Sequence, residues 1–226
     1  MKVQYLGHSA FSIVTSKGTF LIDPFLSGNP CTSIRSDDVV ADVILVTHAH
    51  GDHLGDSVEI SIRTGACIVA TFELSNYCYN RGAKTLDVNL GGTLDLQIGR
   101  VKVFPAFHTS SIDKGPSLGQ ATSFVISGDG RNIYHAGDTA LFKDMELISE
   151  EYELDLALLP IGGRYTMDIK DAVKAVKLLK PRFVVPMHFN TWPIIKANPE
   201  VFKSKVETET RCKCVILNPG EVITLD

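Results

Sequence analysis

The sequence contains no run of about 18 apolar residues, so no segment reads as a membrane span. It carries no basic excess: 22 lysines and arginines stand against 26 aspartates and glutamates, a formal net charge of -4. That balance argues against a long nucleic acid as partner and leaves a small molecule or short phosphodiester open, since a metal site brings its own positive charge. None of the five cysteines, at positions 31, 67, 78, 212 and 214, forms a Cys-x-x-Cys pair. They read as reduced packing residues of a cytoplasmic protein. The opening MKVQYLGHSAFSIVTS lacks the unbroken apolar core of a signal peptide, because His8 and Ser9 interrupt it. No repeat, low-complexity stretch or linker divides the chain.

What is present is an ordinary globular composition. With 226 residues, 44% hydrophobic and 21% charged, the chain is long enough for one well-buried domain, expected to span residues 1–226. Short apolar runs at 3–6, 10–15, 19–22 and 43–46 read as strands, with Ser16-Lys17-Gly18 as a hairpin turn. Further strands are expected at 67–70, 93–97, 101–105, 122–127 and 132–135, and a helix near 72–80. In the last third, Ile169, Ala172, Val173, Val176 and Leu179 recur at helical spacing until Pro181. Strands then follow at 183–185, 213–217 and 222–224. Many strands first, then strands alternating with helices, indicate an α+β fold of two packed sheets with helices outside.

The chemistry concentrates in His48-Ala49-His50-Gly51-Asp52-His53, which follows a buried strand. Three histidines and an aspartate in six residues stand out in a chain of seven histidines. Imidazole nitrogens and carboxylate oxygens bind zinc at about 2.0–2.2 Å. One short loop does not complete a coordination shell unstrained, so further ligands are expected elsewhere. His108, Asp138 and His188 each follow a strand and are of the right type.

This set resembles the metallo-β-lactamase superfamily: the HxHxDH run, the later His108, Gly137-Asp138-Thr139 and the final His188. The segments Leu6–Phe11, Ile22–Phe25 and Leu159–Gly163 resemble its branch of compact metal-dependent hydrolases related to ascorbate-6-phosphate lactonase. The resemblance implies an αββα sandwich with a two-metal cleft along one edge. It implies one ion held by His48, His50 and His108, a second by Asp52, His53 and His188, and Asp138 bridging both, with Asp52, His53 and Asp138 nearest the chemistry. Two divalent ions about 3.5–4 Å apart lower the pKa of a shared water from 15.7 towards about 7, and so supply hydroxide. Zinc is the leading ion; manganese, nickel and iron suit the same ligands.

Several neighbours carry two readings. His8 is a group supporting the ligands or touching substrate, or else a histidine at the edge of the core. His135 partners a ligand or is a satisfied buried histidine. Asp23 orients a ligand's far nitrogen, or serves as the turn residue before Pro24. Gly163 and Arg164, between a buried strand and a helix start, line the cleft or form a flexible connection. The function expected is hydrolysis of a phosphodiester or of a phosphorylated lactone or cyclic ester. β-Lactam or other ester and amide cleavage, a redox di-iron centre and a metal-stabilised binding protein are the competing classes, and a homo-oligomer is open.

Overall fold

The computed structural model describes all 226 residues, from Met1 to Asp226. The chain begins with strands β1 (Lys2–Gly7), β2 (Ala10–Thr15), β3 (Gly18–Ile22), β4 (Val43–Leu45), β5 (Cys67–Ala70) and β6 (Lys84–Asp87). It continues with β7 (Thr93–Leu96), β8 (Gly99–Pro105), β9 (Thr122–Gly128), β10 (Arg131–His135), β11 (Leu156–Pro160), β12 (Phe183–Met187) and β13 (Lys213–Cys214). The last strand, β14 (Val222–Thr224), returns to pair antiparallel with β1. Two seven-stranded sheets result, ordered β14-β1-β2-β3-β4-β5-β6 and β13-β12-β11-β10-β9-β8-β7. Each is antiparallel on one side and parallel on the other, parallel from β3 to β6 in the first sheet and from β10 to β13 in the second.

Alternation along the strands assigns each sheet its two faces. In β3, Phe20 and Ile22 join the core between the sheets, while Leu21 faces the other way into a smaller cluster. The same split separates Val43 and Leu45 from Ile44. Strands covered on both faces are apolar over the covered stretch, as Phe20–Ile22 and Val43–Leu45 are. Helices α1 (Gly51–Leu54), α2 (Ser57–Thr64) and α3 (Phe72–Tyr79) belong to the first half of the chain, and α2 and α3 cover its sheet through Ile60, Leu74 and Cys78. Helices α4 (Met145–Glu151), α5 (Ile169–Leu179) and α6 (Pro199–Glu209) pack in the second half, α5 burying Ala172, Val173, Ala175, Val176 and Leu179. No helix is long and apolar enough to cross a membrane.

The differences from the sequence reading have local causes. The strand expected over 213–217 is only Lys213–Cys214. Helix α2, SVEISIRT, is rich in β-branched residues and does not announce itself as helical. Helix α6 buries only Phe202 and Val206, too few for a visible apolar stripe. It is instead marked at its start, where the Asn198 side chain accepts from the Glu200 N–H and Pro199 occupies the first turn.

Candidate metal centre

The centre is assembled at the ends of strands from both sheets. β4 ends at Leu45, and the chain runs on through Thr47 and His48 into α1, which carries Asp52 and His53. The Thr47 N–H donates to Asp23 Oδ1 (2.8 Å) and its hydroxyl to Asp23 Oδ2 (2.6 Å). The Thr47 carbonyl accepts from both the N–H and hydroxyl of Thr122, at 2.9 Å each. The histidine loop is thus tied to β3 on one side and to the second sheet on the other.

Asp138 follows β10 by way of Gly137, whose φ of +57° suits glycine. A Cβ there would stand 2.8 Å from the Thr122 carbonyl oxygen, so the chain also passes too close for a side chain. His188 follows β12 with a left-handed backbone (φ 53°), and its N–H donates to the His8 carbonyl at 2.8 Å. Asp23 and His8 are left-handed as well, at 44° and 58°. Non-glycine residues held there are sparse and costly, and such strain gathers at functional sites.

All seven residues expected to be ligands come together. His48 Nε2 lies 3.0 Å from His50 Nδ1, and His108 Nε2 lies 3.3 Å from the same atom. Asp138 Oδ1 is 3.2 Å from His53 Nε2, while its Oδ2 is 3.1 Å from His188 Nε2 and 3.6 Å from His108 Nε2. Donor atoms fall into three groups, each within 4.8 Å: His48, His50 and His108; His48, His53 and Asp138; and His8, Asp52, His53 and His188. The side chains of His53, Asp138 and His188 are at most 3% exposed, whereas Asp52 is 25% exposed and His108 13%. The cluster therefore opens on the side of Asp52, His108 and the half-buried His50.

Three buried atoms, His53 Nε2, Asp138 Oδ1 and His188 Nδ1, have no hydrogen-bond partner. His53 Nε2 and Asp138 Oδ1 approach closely yet are misaligned for a bond to each other. Buried polar atoms are normally satisfied, so His53 Nε2 and Asp138 Oδ1, unpaired and 3.2 Å apart, fit a shared cation; on His188 it is the other nitrogen, Nε2, that faces Asp138.

Burial and neighbouring charge shift the groups of the cluster in opposite directions. His48 is buried, and burial together with the neighbouring His53 holds it well below the usual imidazole range. Burial also works against charge on His53, but Asp138 and Asp23 overcome it and raise it. His188 is pushed to about 9: burial opposes the charge, and Asp138 with its hydrogen bond outweighs it. Against its own burial, Asp138 is kept well below the carboxylate range by His188 and His53.

The surrounding residues sort themselves clearly. Asp23 Oδ2 lies 2.7 Å from His53 Nδ1, the orienting contact expected of it. His135 is fully buried and touches no ligand side chain: Nε2 pairs with the Ser9 carbonyl (3.0 Å) and Nδ1 accepts from the Gly137 N–H (3.1 Å). It supports the turn before Asp138. At the β11 end Gly162, rather than Gly163, is the close contact, because a Cβ on it would lie 2.3 Å from the His188 carbonyl oxygen. Gly163 takes φ +80°, and Arg164 is exposed without an ion pair.

Two further side chains touch the cluster without a signal in the sequence. The Thr47 hydroxyl is 3.0 Å from His48 Nδ1 in addition to its bond to Asp23. Thr191 Oγ1 is 2.7 Å from His8 Nδ1. Thr47 precedes His48 and Thr191 follows His188 by three residues, and loop threonines are too common for such nearness to suffice.

A profile of the beta-lactamase superfamily domain matches residues 2–188. A UPF0173 metal-dependent hydrolase of Thermococcus onnurineus is 54% identical over 230 residues, covering all of both chains. One from Thermus thermophilus is 49% identical over 226 residues, again over all of both. Among solved structures, Igni18, a metallo hydrolase of the archaeon Ignicoccus hospitalis, superposes with a TM-score of 0.93 at 40% identity, covering 100% of this chain and 98% of that one.

Proposed function

The chain belongs to the metallo-β-lactamase superfamily, among the UPF0173 metal-dependent hydrolases, and from this premise we propose that it hydrolyses a phosphodiester or a phosphorylated lactone or cyclic ester using two divalent cations. One observation carries the proposal. Asp138 lies within reach of both sets of histidines: Oδ2 is 3.6 Å from His108 of one set and 3.1 Å from His188 of the other, and Oδ1 is 3.2 Å from His53.

His48, His50 and His108 would hold one cation, Asp52, His53 and His188 the other, and Asp138 both. When bound, such ions polarise a phosphoryl or carbonyl oxygen and acidify water near neutral pH. The remaining work belongs to the chain. Asp23 accepts the Nδ1 proton of His53 and so leaves the Nε2 lone pair to a cation. Buried Asp138 would supply the negative charge that keeps two cations together. Asp52, at the open edge, would complete the second cation's shell on the side from which an ester arrives. The resemblance of 6–11, 22–25 and 159–163 to the lactonase branch supports the phosphorylated ester as substrate, and the net charge of -4 supports a small one.

Protein stripped with EDTA and reloaded with zinc or manganese tests this on bis-p-nitrophenyl phosphate and a panel of phosphorylated lactones. Turnover should vanish on stripping, return on reloading, and fall at least about a hundredfold in His48→Ala and Asp138→Ala. Undiminished turnover in either variant, or no turnover of any ester by the reloaded protein, would end the reading.

A further inference from the structure

His8 belongs to none of the seven positions assigned to the cations, yet it is fully buried among them. Its Nε2 lies 3.2 Å from Asp52 Oδ2 and its Nδ1 lies 2.7 Å from Thr191 Oγ1. Its carbonyl accepts from the His188 N–H (2.8 Å) and from the Tyr5 hydroxyl (3.1 Å). The ring is enclosed by His188, Trp192 and Phe25, with centroids at 4.2, 5.1 and 5.8 Å. One residue thus grips two expected ligands at once: Asp52 through its side chain and His188 through its backbone.

The geometry points to His8 as a positioning residue that donates Nε2–H to Asp52 and fixes the His188 loop, rather than as a ligand itself. Asp52 is a carboxylate and only accepts, so the 3.2 Å contact requires the proton on His8 Nε2. Nδ1 then carries the lone pair, and the Thr191 hydroxyl donates to it. Were His8 a ligand through Nε2, the tautomer would be the opposite one, with Nδ1–H donating to Thr191. The two arrangements make opposite use of the same pair of contacts, so they can be told apart.

The left-handed backbone of His8 has a reason in this scheme. At φ 58°, following Gly7 at φ 113°, the β1–β2 turn sends the carbonyl to His188 while the ring reaches Asp52. With Asp52 Oδ2 engaged, its other oxygen is left for a cation. This grip gives a partly exposed helix residue on α1 a fixed orientation.

The assignment rests on the two-cation reading and is tested by zinc titration of the EDTA-stripped protein against a chromophoric chelator, with no activity measured. Wild type should take up two equivalents. His8→Ala should bind the second about 10–100-fold more weakly and leave the first unchanged. His8→Gln, whose amide still donates a hydrogen bond, should restore most of that loss. Thr191→Val, which leaves His8 in place, should weaken the second equivalent in the same direction, and it serves if His8→Ala does not fold. Two-bond proton–nitrogen NMR of the zinc-loaded protein should find the His8 proton on Nε2. His8→Gln as weak as His8→Ala, or a proton on Nδ1, would overturn the assignment. A wild type that takes up no zinc would instead end the two-cation reading.

Discussion

Asp23 Oδ2 accepts from two groups at once, His53 Nδ1 at 2.7 Å and the Thr47 hydroxyl at 2.6 Å. A single buried carboxylate therefore sets the orientation of a histidine inside the cluster and anchors the loop that carries His48. Asp23→Asn keeps the shape and loses the charge. It should weaken zinc binding about 10–100-fold, read by chelator competition. Asp23→Ala also leaves Thr47 and His53 unpaired in the interior and should cost about 3–5 kcal/mol of stability in urea denaturation. Wild-type zinc affinity in both variants would refute the orienting role.

Metal should stabilise the fold as well as serve the site. Zinc at about 1,000 times its dissociation constant adds about 4.1 kcal/mol. For a chain of this length that raises the melting temperature by roughly 8–16 °C. Differential scanning calorimetry of stripped and reloaded protein checks this, and superimposable melts would contradict it.

Metal uptake should release protons. In the metal-free protein at pH 7, His53, raised by Asp138 and Asp23, and His188, at about 9, both carry a proton that a ligand has to shed. Isothermal titration of zinc in buffers of differing ionisation enthalpy should show close to two protons released, fewer as the pH approaches 9. The same shift acts on stability. A histidine raised from 6.5 to about 9 stabilises the folded metal-free protein fully below pH 6.5, and that contribution is lost as the pH climbs through about 9. No dependence of the binding enthalpy on buffer would contradict the protonated state.

Gly162 is fixed by contact rather than by its backbone angle. Gly162→Ala would drive a Cβ into the His188 carbonyl oxygen, so the His188 turn has to shift. The expected cost is about 1–3 kcal/mol, with weakened zinc binding. Gly163→Ala, whose new Cβ would lie 3.3 Å from the Asp168 side chain, should cost about 1 kcal/mol through its positive φ and leave zinc binding intact. Equal zinc affinity in the two variants would show that Gly162 does not brace His188.

The sequence disclosed the cluster because each segment that carries it follows a strand, and strand ends are where a rigid sheet fixes a loop residue. His48, Asp138 and His188 were locatable from the apolar runs before them. What stayed hidden depended on distance across the fold. Nothing near His8 in sequence indicates that its ring meets Thr191, 183 positions away. Thr47 gives no sign that it pairs with Asp23 until β3 and β4 are set side by side. Helices α2 and α6 were obscured for a different reason, since one uses residues that favour strands and the other buries only two side chains.

The most direct measurement is anomalous diffraction at the zinc edge from crystals of the zinc-loaded protein. Two peaks should flank Asp138, one within bonding distance of His48, His50 and His108, the other of Asp52, His53 and His188, with His8 outside both. A single peak, or peaks away from Asp138, would contradict a carboxylate shared by two cations.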